Sequence, residues 1–141
     1  MIATVDQRVR STMHPLHAVL LAGTIPLFLG ALLSDIAYAQ GYQIQWINFA
    51  SWLIVGGLVF GGFALLYAIV DLFRTERDGR SVAYSLVLLA TWILGFINAL
   101  VHARDAWASM PTGLVLSVVV TLLACAAAWI RLSGWSAGAR A

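Results

Sequence analysis

No lysine occurs anywhere in this chain, and its positive charge is carried by eight arginines. Without lysine there is no GxxxxGK[ST] loop to cradle a nucleotide phosphate. A single cysteine, Cys125, excludes an intrachain disulfide and any CxxC metal or redox motif. It sits among Ala124, Ala126, Ala127 and Ala128, where a buried, inert small residue is expected. HExxH and CxxCH are also missing, and no Ser-His-Asp set falls at one depth beside a nucleophile elbow. Charge is the largest shortage: 10% of residues are charged and 62% are hydrophobic. A soluble domain carries about 25% charged residues. A water-soluble fold of 141 residues could not hide so much apolar surface, so lipid must solvate much of it.

What is present is four apolar runs long enough to cross a ~30 Å hydrocarbon layer. They span about residues 16–38, 47–73, 82–103 and 113–131 of a single membrane domain, residues 1–141. Short polar connections force neighbouring spans to run antiparallel, which predicts an all-α integral membrane protein, an antiparallel four-transmembrane-helix bundle. Ala37-Tyr38-Ala39 has the small-x-small form of a cleavage site. The first apolar run is longer than a signal h-region, so it is expected to stay as a helix. Arg8, Arg10, Arg74, Arg77, Arg80, Arg131 and Arg140 fall on one side of alternating spans, and Arg104 alone on the other. The positive-inside rule then puts both termini of a multi-pass protein in the cytoplasm. Arginines gathered at helix ends form no basic stripe, which excludes a nucleic-acid partner. Trp46, Trp52, Trp107, Trp129 and Trp135 fall near the expected interfaces.

Gly57 and Gly61 make a GxxxG step flanked by Gly56 and Gly62, with Gly95 and Ala99 as a similar step in the third span. Such steps let helix backbones approach closely in lipid. The alternative is a surface that admits a flat ligand, or one that anchors a larger complex.

Ionisable residues at membrane depth are costly, so each is a functional candidate. One cluster gathers near the expected cytoplasmic face. His14-Pro15-Leu16-His17 opens the first span with both histidines on one face, and Asp71 closes the second at the same depth. A His17–Asp71 hydrogen bond is expected there, or an Asp71–Arg74 ion pair one turn on. The second cluster gathers at the opposite face: Asp35, Asn98, His102, Arg104 and Asp105. An imidazole beside carboxylates, an amide and an arginine suits binding and protonation of a quinone carbonyl, or an interhelical network. Haem b is an alternative cofactor. His17 begins the first span and His102 ends the third, parallel one, so they stand ~25–30 Å apart and cannot share one iron.

His14-Pro15-Leu16-His17 with Pro26, Asp71, and Asn98 to Trp107 through Pro111-Thr112-Gly113 give the chain a family resemblance. It resembles small bacterial four-helix membrane proteins, domain of unknown function 2231, which typically open with His-Pro-x-His. The resemblance covers residues 14–131 and carries over His14, His17, Asp71, Asn98, His102, Arg104 and Asp105. It implies a place in the bacterial inner membrane and company with periplasmic quinoprotein dehydrogenases of sugars or aldehydes. The function then expected is an accessory membrane subunit of a respiratory or dehydrogenase assembly, with a quinone-binding or partner-docking outer face. The alternative class is a non-catalytic structural subunit of a membrane complex.

Overall fold

The computed structural model describes residues 13–74 and 78–138, with side chains to Ser133. Four long helices carry the chain: α1 Pro15–Gly41, α2 Ile44–Arg74, α3 Gly79–His102 and α5 Thr112–Gly138. A single turn, α4 Ala106–Ser109, lies between the last two. Each long helix has the length and apolar composition to cross a membrane. At 1.5 Å per residue even α3, with 24 residues, extends about 36 Å. Every helix begins earlier than the apolar run predicts, and three of them end later. Most of the added residues are polar or small, with Ile44, Trp46, Leu132 and Trp135 as the large apolar exceptions.

Local signals explain the ends. Pro15 stands in the first turn of α1, where its missing N–H goes unneeded, and the His14 ring accepts from the Leu16 N–H at 3.3 Å. Asp78 caps α3, its carboxylate accepting from the Ser81 N–H at 2.7 Å. Tyr42, in the left-handed conformation, ends α1 with its N–H on the Tyr38 carbonyl at 2.8 Å.

The helices form a ring in which α1 packs on α2 and α5, and α3 on the same two. Helices α1 and α3 thus face each other across the bundle axis. The closest seam is α1 against α2, where the glycines act. A Cβ on Gly57 would stand 2.8 Å from the Phe28 ring, and one on Gly61 would meet Thr24 at 3.5 Å. The GxxxG surface is therefore filled by the chain's own first helix. Neither a flat ligand nor a partner helix has access to it. Buried hydroxyls are satisfied locally: Thr24, Ser34, Thr91 and Thr121 each bond the carbonyl one turn back.

The outer surface is apolar. Leu33, Phe63, Leu66, Leu86, Val115 and Leu122 are all exposed along the helices. Cys125 also differs from expectation, because it lies exposed on the outward side of α5. Its alanine neighbours Ala124, Ala127 and Ala128 take the buried stripe, and the register leaves Cys125 facing out. Trp52, Trp107 and Trp129 are exposed as expected. Trp46 is half-buried, and the side chain of Trp135 lies outside the described residues.

Candidate functional site

One end of the bundle contains a buried polar network. Asp35 of α1 reaches across the axis to His102, the last residue of α3, with its Oδ1 2.8 Å from the imidazole Nε2. The other imidazole nitrogen, Nδ1, lies 2.9 Å from the Asn98 carbonyl one turn earlier. Ser117 of α5 donates its hydroxyl to Asp35 Oδ2 at 2.5 Å and accepts from the Asn98 side-chain amide at 2.9 Å. None of the four residues exceeds 6% exposure, and Asp35 and Asn98 have none.

The bonding fixes where one proton sits. A backbone carbonyl only accepts, so Nδ1 of His102 carries hydrogen. The Nε2–Oδ1 contact then needs a second proton between imidazole and carboxylate. Written as imidazolium and carboxylate or as imidazole and carboxylic acid, the pair is neutral in total. A neutral, hydrogen-bonded pair is what a low-dielectric interior can hold without a large desolvation cost. Gly113 makes room for the ring, since a Cβ there would stand 2.7 Å from His102 Cε1. Asn98 Oδ1 is buried without a hydrogen-bond partner in the structure.

This arrangement divides the residues singled out from sequence. Asp35, Asn98 and His102 come together as expected. Arg104 and Asp105 do not join them: both are exposed on the turn after α3. There the Arg104 N–H bonds the Val101 carbonyl, and the Asp105 carbonyl accepts from Ala108 and Ser109. The helix stops at His102, so the face shared by Asn98 and His102 does not extend to Asp105. Ser117 escaped the sequence reading because a lone serine in an apolar run resembles a small packing residue.

Just beyond the network lies an open groove of about 430 Å³, bounded by Tyr38, Tyr42, Trp107, Met110, Pro111 and Leu114. Tyr38 is one turn past Asp35, and Leu114 follows the glycine that touches His102. The groove and the network are thus adjacent layers.

The opposite end holds the other predicted cluster, with different partners. His17 bonds Tyr84 of α3, Nε2 to Oη at 2.9 Å, and not Asp71. Asp71 lines the same niche but pairs with Arg131 of α5 at 3.6 Å. Tyr84 lies directly across the axis from His17, whereas Asp71 projects from the neighbouring helix toward the Arg131 side. The Arg131 guanidinium also sits over the Tyr84 ring at 5.6 Å. His14 and His17 do share a face, both rings packing on Tyr67 with centroids 5.8 and 4.9 Å away. His17 Nδ1 is buried without a hydrogen-bond partner. The reason is its position: one turn before it lies Met13, outside the helix, so no helical carbonyl is presented as Asn98 presents one to His102.

His17 is level with Tyr84, and His102 lies 18 residues further along α3 (84 to 102), about 27 Å at 1.5 Å per residue. The two buried histidines therefore cannot serve one metal centre. Among the described residues no three His, Cys, Asp or Glu side chains converge as metal ligands.

No curated protein and no solved structure matches the chain. A family model does match, over residues 13–139, and takes in all four long helices and both polar clusters. The chain belongs to the family of predicted membrane proteins known as DUF2231.

Proposed function

We propose that this membrane protein is an accessory subunit of a redox assembly, and that it seats a quinone-class head group in the groove beside its Asp35–His102 pair. The reading rests on one observation. The buried Asp35–His102 hydrogen bond lies one helical turn from Tyr38 at the edge of an aromatic-lined groove of about 430 Å³. That volume is within the range of small-molecule sites. The exposed rings of Tyr42 and Trp107 are available for stacking, while buried Tyr38 with Met110, Pro111 and Leu114 bounds the rest of the groove. A carbonyl reduced at this position needs protons, and the pair is the nearest buried store of one. With both termini cytoplasmic, as the arginine distribution argues, the groove opens on the outer side. There a periplasmic dehydrogenase is the partner class that would deliver electrons. Haem b would require ligands other than a His17–His102 set.

The test uses the purified chain in mild detergent and a short-tailed benzoquinone, with tryptophan fluorescence as the readout. Saturable quenching is expected, and Leu114→Trp, which fills the groove, should abolish it. Quenching that rises linearly with quinone and is unchanged by Leu114→Trp would reduce the effect to partition into the micelle and end the proposal.

A further inference from the structure

The hydrogen bonds His17–Tyr84 and Asp35–His102 have the same sequence separation, 67 residues. That coincidence extends along the helices. The buried residues of α1 are His17, Leu21, Thr24, Phe28, Ala31, Ser34, Asp35 and Tyr38. Adding 67 to the first seven gives Tyr84, Leu88, Thr91, Gly95, Asn98, Val101 and His102, all buried on α3. Helix α2 relates to α5 in the same way with a shift of 63, as from Ile54 to Ser117. Ala50, Ile54, Gly57, Gly61, Ala64 and Leu65 map onto Gly113, Ser117, Val120, Ala124, Ala127 and Ala128, and all twelve are buried. The ring order agrees, because exchanging α1 with α3 and α2 with α5 leaves the same neighbours in place.

We infer that the bundle is two equivalent helical hairpins, α1–α2 and α3–α5, related by a pseudo-two-fold axis along the bundle, and that Ser117 and Asn98, with the room Gly113 leaves for the ring, decide which hairpin carries the acid of the axial pair. On a two-fold axis a residue meets its own equivalent. His17 meets Tyr84, and Asp35 meets His102, for that reason. Phe28 and Gly95 are also equivalents, and the Phe28 ring fills the space its mate leaves, where a Cβ on Gly95 would stand 3.2 Å from Phe28 Cζ.

Equivalence predicts which parts of the outer pair are interchangeable. His102 Nδ1 bonds the backbone carbonyl one turn back, and the Ala31 carbonyl offers the same to an imidazole at position 35. The acid is different. Its second oxygen needs the Ser117 hydroxyl, which the Asn98 amide holds in place. Their equivalents in the first hairpin are Ile54 and Ala31, which supply neither group. A carboxylate at position 102 would face Ile54 and lack its second bond. The asymmetry of these two supporting residues, together with Gly113 standing where the first hairpin has Ala50, thus sets the direction of the pair.

Exchange of side chains across the axis tests this in the full chain, by thermal unfolding in detergent and by ¹⁵N spectra of the imidazole. At the His17 end no further side chain hydrogen-bonds the pair, although Tyr67 and Arg131, which pack on the two rings, have Ile130 and Ala68 as equivalents. There H17Y/Y84H should recover most of the midpoint, about 5 °C, lost in His17→Tyr or Tyr84→His alone. At the other end D35H/H102D should not recover. Adding Ala31→Asn, Ala50→Gly, Ile54→Ser, Asn98→Ala, Gly113→Ala and Ser117→Ile to it should restore both the midpoint and a single imidazole tautomer protonated at Nδ1. Packing alone would not restore the tautomer. The inference fails if H17Y/Y84H is no better than the worse single variant. It fails equally if the eight-residue exchange unfolds no later than D35H/H102D, or shows mixed tautomers.

Discussion

The two ends of the bundle make the same diagonal bond between α1 and α3, but they support it differently. At the Asp35 end the bond lies inside a closed set of four residues, with His102 using both ring nitrogens and Asp35 both oxygens. At the His17 end the bond stands alone on the axis. One nitrogen of His17 has no hydrogen-bond partner, and the nearby Arg131–Asp71 pair is partly open, with side-chain exposures of 21% and 40%. The difference teaches that burial alone does not measure how much of the fold relies on a residue. His17 is as buried as Asp35, yet only the second is enclosed by groups that each depend on it.

The largest expected effect follows from that dependence. His102→Ala leaves the Asp35 carboxyl buried with a single hydroxyl partner, and breaking such a pair costs about 3–5 kcal/mol. Asp35→Leu combined with His102→Leu removes both members and should cost less than either single change, since neither a buried carboxyl nor a buried imidazole is left without its partner. Unfolding free energies in detergent measure both. If His102→Ala costs no more than His17→Ala, the contrast between the two ends collapses.

A smaller effect probes the other end. Tyr84→Phe removes the hydroxyl from His17 while keeping the ring under Arg131. Interhelical hydrogen bonds in membrane bundles are worth ~0.6 kcal/mol on average and ~1.7 at most. The same unfolding measurement should place Tyr84→Phe in that range, several-fold below His102→Ala. A loss above about 3 kcal/mol would show that the His17 end relies on its diagonal bond no less than the Asp35 end does.

Particular residues show how much of this was legible beforehand. The four spans followed from run length and hydropathy alone, because lipid imposes helices of a fixed minimum length. Asp35, Asn98 and His102 were legible because membrane depth makes a polar side chain conspicuous. Tyr84 and Ser117 were not, since each is ordinary in an apolar helix and gains meaning only from what faces it. The signal for Tyr84 was nevertheless present. His17 to Asp35 and Tyr84 to His102 are both intervals of 18 residues, five turns at 3.6 each, so both members of each set share a face. Arg104 and Asp105 misled because helical spacing was extended past the residue where α3 stops. Cys125 misled because small size suggested burial, while the register of Ala124 and Ala128 decided otherwise.

The smallest expected effect lies in the caps that start α1 and α3 at the His17 end. Asp78 makes the shorter bond, 2.7 Å to the Ser81 N–H, against 3.3 Å from Leu16 to the His14 ring. Hydrogen bonds from Ser81 hold the Asp78 carboxyl below its ordinary value. A carboxyl depressed in the fold stabilises it above the unfolded value of about 4, and that contribution is lost as pH falls through the lower folded value. Asp78 is almost fully exposed, so solvent screening keeps the term under about 1 kcal/mol. Asp78→Asn retains an acceptor for the Ser81 N–H but has no proton to gain. Unfolding followed from pH 6 downward should therefore show an acid loss in the native chain that Asp78→Asn lacks, while Asp78→Ala is weaker throughout. If all three fall in parallel, the Asp78 charge contributes nothing, and the cap adds only its hydrogen bond.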